Sequence, residues 1–162
     1  MKVQVLPLRA LAVFVPTGML VVVAALFFLQ QRWPPGVWVF GLGVFVVLVS
    51  VSFRLSVRTL VPDLVFGAID TGLLTVFALT GGVAYGVVGA IVGGVVGDSV
   101  TDGIAGFFEG GISQWLERHG FDASRTPLGT SMGKMGGCLL GCGIALTCAW
   151  FVGINVFDIV AQ

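Results

Sequence analysis

Charge is what this sequence has least of. Its 162 residues include eight basic and eight acidic side chains, 10% of the chain, where a soluble domain carries about 25%. Such a chain cannot cover a water-facing surface, so its expected solvent is lipid. A hydrophobic content of 57% and a mean hydropathy of +1.07 point the same way. The formal net charge is zero, which argues against the basic surface that a nucleic-acid partner needs. Histidine occurs once, as His119, and cysteine three times, as Cys138, Cys142 and Cys148. No Cys-x-x-Cys pair is present and no histidine follows a cysteine, so zinc and dithiol motifs are missing. The three thiols are expected as small polarizable packing groups. No serine-histidine or P-loop arrangement appears, and the chain is not expected to be an enzyme.

What is abundant is glycine and long apolar runs. The 25 glycines follow no collagen-like period and lie inside apolar sequence, where membrane helices use small residues to bring backbones together. A spanning helix needs about 20 mostly apolar residues. The runs predict an all-α integral membrane protein with about five transmembrane helices and glycine-rich helix packing. The first span is expected over Leu8–Leu29, bent at Pro16; its apolar run is too long for a signal-peptide core and no cleavage site follows. Arg32, Trp33, Pro34 and Pro35 break the chain. The second span runs from Val37 to Phe53. The third is expected to begin near Pro62, with Asp63 at the positive end of its dipole, and to end at Thr80, broken by Gly81 and Gly82. The fourth apolar stretch, Val83 to Trp115, is too long for one ordinary span, and a re-entrant hairpin or two short helices are the alternatives. The last span runs from Met132 to Phe157. Residues 1–60 read as a two-helix membrane hairpin, and 61–162 as a glycine-rich three-helix core.

The positive-inside rule orients this layout. With the N terminus inside, Lys2, Arg9, Arg54, Arg58, Arg118, Arg125 and Lys134 all fall on the inner side and Arg32 alone falls outside. That bias needs an odd number of spans and places the C terminus outside.

Asp70, Asp98 and Asp102 interrupt the apolar runs. An ionised side chain at the bilayer centre costs at least about 2.5–3.5 kcal/mol, so each needs a reason. At about 100° per residue, Asp98, Asp102 and Glu109 fall within about 40° on one helix face, in a stripe roughly 16 Å long. One turn separates Asp98 from Asp102. A hard cation can bridge such a pair, with Thr101 as a further oxygen donor and Ser99 assisting. The bland alternatives are solvation beyond the membrane edge for Glu109 and Glu117, and a protonated, hydrogen-bonded Asp70 in a helix contact. Lys134 could neutralise an acid, or extend to water from a helix end. Gly82, Gly86, Gly89, Gly93 and Gly97 recur every three or four residues, a glycine face for close packing within one chain or across a dimer.

Two enzyme patterns are near misses. Gly94, Asp98 and Asp102 match half of the CDP-alcohol phosphotransferase metal motif, but Phe77 to Tyr85 supplies neither the Asp nor the Arg of the other half. Intramembrane aspartyl proteases need Tyr-Asp and Gly-x-Gly-Asp; here Ile69 precedes Asp70, and Val95-Val96-Gly97-Asp98 stands at the second position.

Three patches carry a family likeness: Phe66-Gly67-Ala68-Ile69-Asp70, Gly97-Asp98-Ser99-Val100-Thr101-Asp102, and Met132-Gly133-Lys134 followed by a glycine-rich span with Cys142. In order and spacing, the stretch from Val65 to Phe151 resembles the family of transmembrane protein 65, found in the mitochondrial inner membrane and in prokaryotes. The resemblance implies sodium/calcium exchange or related cation transport, carried by Asp70, Asp98 and Asp102. This chain departs from that family with Asp98 where the family has Asn, and with Glu109 about one turn earlier than the family's acid. The expectation is a sodium- or proton-coupled exchanger of a divalent, calcium-type cation, acting as a homodimer. Its metal ligands would be Asp70, Asp98, Thr101, Asp102 and Glu109. The expected membrane is a prokaryotic plasma membrane, given the inner positive charges and the absence of a transit peptide. The alternative is a non-transporting scaffold or regulatory subunit with a structural cation.

Overall fold

The computed structural model describes residues 8–119 and 126–161; inside the helices, the side chains of residues 9, 105–113, 116, 117 and 160 lie outside the described set. All described secondary structure is helical: α1 (Leu8–Gln30), α2 (Pro35–Ser52), α3 (Val57–Arg118), α4 (Pro127–Phe151) and the short α5 (Val156–Val160). Four of these are long and apolar enough to cross a membrane.

The helix ends follow local chemistry. Pro35 begins α2, where a missing amide proton costs nothing. The α2 exit is a Schellman turn: Leu55 N–H donates to Ser50 C=O and Arg54 N–H to Val51 C=O, with Arg54 at a left-handed φ of 61°. Thr126 caps α4 by accepting from Gly129 N–H at 3.1 Å. The α4 exit repeats the Schellman turn, with Gly153 at φ 87° and Ile154 N–H donating to Ala149 C=O.

α3 is two helices in one. Tyr85 (φ −140°, ψ 20°) and Gly86 (φ 62°, ψ −149°) interrupt its helical backbone, a conformation at Gly86 that is essentially restricted to glycine. The chain folds back there. Residues 57–84 form a first limb and residues 87–118 a second, antiparallel to it. A methyl group on Gly81 would land on the Gly89 carbonyl, and one on Gly93 on the Phe77 carbonyl. The expected break at Gly81 and Gly82 is therefore displaced to Tyr85–Gly86: Gly81 is needed inside the helix, where it lets the second limb approach. Gly82 packs on Ile159 and Ala90, and Gly89, Gly93 and Gly97 face the first limb, so this glycine row is used within the chain. The start of the helix is also earlier than expected. It begins at Val57, which leaves Pro62 inside it and Asp63 buried.

α4 is the centre of the bundle because two of its faces are small. Methyl groups on Gly137 and Gly141 would strike the Leu64 and Ala68 carbonyls of α3; one on Gly143 would strike the Phe40 backbone of α2. On α2, Gly36 and Gly43 meet Thr147 and Leu140. These pairs make α2 antiparallel to α4, and the first limb of α3 parallel to it. α1 joins through Val21, which clusters with Leu42, Val46 and Met132, and through Phe28, stacked on Trp38 with centroids 5.6 Å apart. The expected last span to Phe157 ends instead at Phe151, where the Gly153 turn sends α5 back so that Ile159 packs against Leu79 and Ala149.

The bundle thus has two ends. The α2–α3 turn with Arg54, the start of α3 with Arg58, the end of α3 with Arg118 and the start of α4 gather at one, the basic end. The Tyr85–Gly86 turn and α5 mark the other.

Candidate functional site

The hairpin in α3 brings the three aspartates together. Asp70 lies on the first limb, Asp98 and Asp102 on the second, and one carboxylate oxygen from each lies within 4.8 Å of the other two. Antiparallel limbs produce this: pairing Gly81 with Gly89 and Phe77 with Gly93 carries Asp70 to the level of the Asp98–Asp102 turn. Asp70 is half-buried, and its Oδ1 is fully enclosed with no hydrogen-bond partner. Asp98 and Asp102 are exposed.

An enclosed carboxylate oxygen without a donor is costly, since it loses water and gains nothing. Like charges at about 4.8 Å repel by about 3–4 kcal/mol per pair at an effective dielectric of about 20, and by less where water reaches Asp98 and Asp102. A hard cation removes both costs. Oxygens on opposite sides of a calcium ion, bound at 2.3–2.6 Å, sit about 4.6–5.2 Å apart, so oxygens within 4.8 Å of one another are close enough to share one such ion.

Thr101, next to Asp102 in the chain, is buried, with 4% of its surface exposed. Its hydroxyl donates to the Asp98 carbonyl at 3.0 Å, which leaves the oxygen lone pairs for a cation. Ser99 is exposed, and its hydroxyl donates to the Val95 carbonyl at 2.9 Å. Glu109 lies within α3, but its side chain is outside the described residues. Lys134 is exposed, with Nζ 5.2 Å above the Phe66 ring. Cys138 and Cys142 are partly buried free thiols and Cys148 an exposed one; Thr75, whose hydroxyl donates to the Thr71 carbonyl at 2.6 Å, lies beside Cys142 across the α3–α4 seam.

Sequence reasoning missed two things here. Asp63 is buried at 7% exposure, inside the helix rather than at its tip, and the early Pro62 was the misleading signal. An apolar groove of about 660 Å³, lined by Ile69, Leu73, Val76, Ile144, Cys148 and Val152 among others, runs along the first limb and α4, and none of the three aspartates lines it. Scanned against family models, curated proteins and solved structures, the chain matches none.

Proposed function

We propose that the chain crosses a membrane five times, with each limb of α3 as one span, and exchanges a divalent, calcium-type cation for sodium or protons at Asp70, Asp98 and Asp102. The observation that carries this is the meeting of three carboxylates from two limbs, one with an enclosed and unpaired oxygen. Side chains of this kind inside a membrane bundle line ion pathways or pair with one another. Three carboxylates are neutralised by one divalent cation with one proton or sodium, or by three monovalent cations; that equivalence is the charge logic of an exchanger. Thr101 lends a neutral oxygen.

Five spans with the N terminus inside put the basic end on the cytoplasmic face of a prokaryotic plasma membrane, as the distribution of arginines favours. The kinship with transmembrane protein 65 belongs to the same proposal; its support is that the acids of the first two patches meet in space. A second copy covering the exposed side of Asp98 and Asp102 completes it, because lipid is a poor neighbour for a carboxylate.

Reconstituted protein is expected to take up divalent cations against a sodium or proton gradient, and Asp98→Asn and Asp102→Asn to abolish that uptake. Wild type without gradient-dependent uptake sinks the transporter. One observation favours a second reading: the acids come from both limbs, so a bound cation would also staple the hairpin. In a scaffold, the ion would raise thermal stability with no flux.

A further inference from the structure

We infer that a second copy of the chain, in the same orientation, packs along the second limb over Val88, Ile91, Val95, Asp98 and Asp102, and that the bound cation strengthens this pairing. This rests on the cation reading above and adds the surface on which the second copy sits and its link to the ion. The second limb has two unlike faces. Gly89, Gly93 and Gly97 recur every four residues, and a methyl on any of them would strike Gly81 or Phe77 of the first limb. That row is used by the hairpin. Val88, Ile91, Val95, Asp98 and Asp102 are instead spaced by three, four, three and four residues, the a and d positions of a heptad. On the helical wheel, the three apolar members point away from the glycine row. They are 70%, 62% and 63% exposed, and both aspartates are exposed as well.

The depth of the aspartates decides what covers this stripe. Asp70, which Asp98 and Asp102 approach, lies about 20 Å along its limb from Val57 and about 22 Å from Tyr85. The three acids are therefore near the midplane of a hydrocarbon core about 30 Å thick. Acyl chains can cover the valines and the isoleucine, but they are poor neighbours for two carboxylates. A second copy suits both. A heptad stripe is self-complementary in a parallel pair, where a meets a and d meets d. Copies inserted in one orientation by the same loop charges hold their stripes at one depth, so the acids of the two copies face each other. Without a cation, these carboxylates repel across the seam and loosen the pair. A cation at each cluster removes the repulsion, so ion and second copy strengthen each other's binding by the same factor.

The test uses the full chain in liposomes. In a background with Cys138, Cys142 and Cys148 replaced by alanine, Val88→Cys and Val95→Cys are expected to form disulfide-linked dimers with copper phenanthroline. Val96→Cys, about 100° around the helix from Val95, is not. Calcium should tighten dimerisation by about 5- to 150-fold, read from the dimer fraction in single-molecule photobleaching of labelled protein. The double variant Asp98→Asn and Asp102→Asn should pair equally well with and without calcium, because the repulsion is gone. Cross-linking of Val96→Cys as readily as Val95→Cys overturns the inference, as does pairing of the double variant that still responds to calcium. Wild type that binds no divalent cation in calorimetry fails the cation reading itself. Wild type that binds calcium yet stays monomeric, or pairs equally with and without it, fails this inference alone.

Discussion

Asp70 and Asp98 stand on opposite limbs of one helix, with carboxylate oxygens within 4.8 Å of each other and the whole Tyr85–Gly86 turn between them in the chain. Asp70 contributes the enclosed oxygen and Asp98 the exposed carboxylate. Removing the enclosed partner should therefore hurt most. Asp70→Asn is expected to weaken calcium binding by about 1.5–3 kcal/mol, the range for a hydrogen-bonding or ligating charge, or roughly 10- to 150-fold in Kd. Asp98→Asn should cost less, because water already shares that site. Titration calorimetry on the three proteins checks the order; equal losses would refute it.

A cation that binds the folded hairpin and not the unfolded chain must stabilise it. Calcium at about 100 times its Kd is expected to add about 2.7 kcal/mol, seen as a rise in the thermal midpoint in detergent. The rise should vanish when Asp70, Asp98 and Asp102 are all replaced by Asn. A rise that survives the triple replacement places the ion elsewhere.

Glycines of one composition have opposite roles, and substitution should separate them. Gly86→Ala forces a side chain into φ 62°, ψ −149° and should cost about 1–3 kcal/mol. Gly137→Ala drives a methyl into the Leu64 carbonyl, and should lower the midpoint at least as far by forcing α3 away from α4. Gly18 has nothing within 4 Å of an added methyl, so Gly18→Ala should be neutral or gain up to about 1 kcal/mol in helix propensity. Thermal unfolding of the three variants, followed by circular dichroism, checks the order.

The same contrast explains what could be read from the sequence. Apolar run length located α1 and α2 closely, and the i, i+4 spacing of Asp98 and Asp102 announced a paired acid. Gly81–Gly82 looked like a stop, yet the stop is Tyr85–Gly86. A glycine that breaks a helix and one that admits a neighbour's backbone are the same letter, and only the packed partner, Gly89, tells them apart. Pro62 looked like a first turn because proline fits there; α3 begins earlier, at Val57, and the proline is carried inside. Asp63 was read as a dipole residue for that reason. The approach of Asp70 to the other two acids depends on the register of the limbs, which no local pattern contains.

The hairpin itself can be locked. A methyl on Gly94 would stand 3.7 Å from the Ala78 Cβ, inside the about 3.5–4.5 Å that a disulfide spans. With the three native cysteines replaced by alanine, the double variant Ala78→Cys and Gly94→Cys is expected to oxidise readily, giving a faster-migrating band that reductant reverses. Failure to cross-link would mean that the limbs are not antiparallel in this register. The locked protein also separates binding from movement. The aspartates lie on the far side of the bond from the turn, so calcium affinity should persist after oxidation. Exchange in liposomes should stop if the limbs must separate toward the turn to release the ion, and return on reduction. Full exchange by the oxidised protein would show that the ion never passes between the limbs at that level.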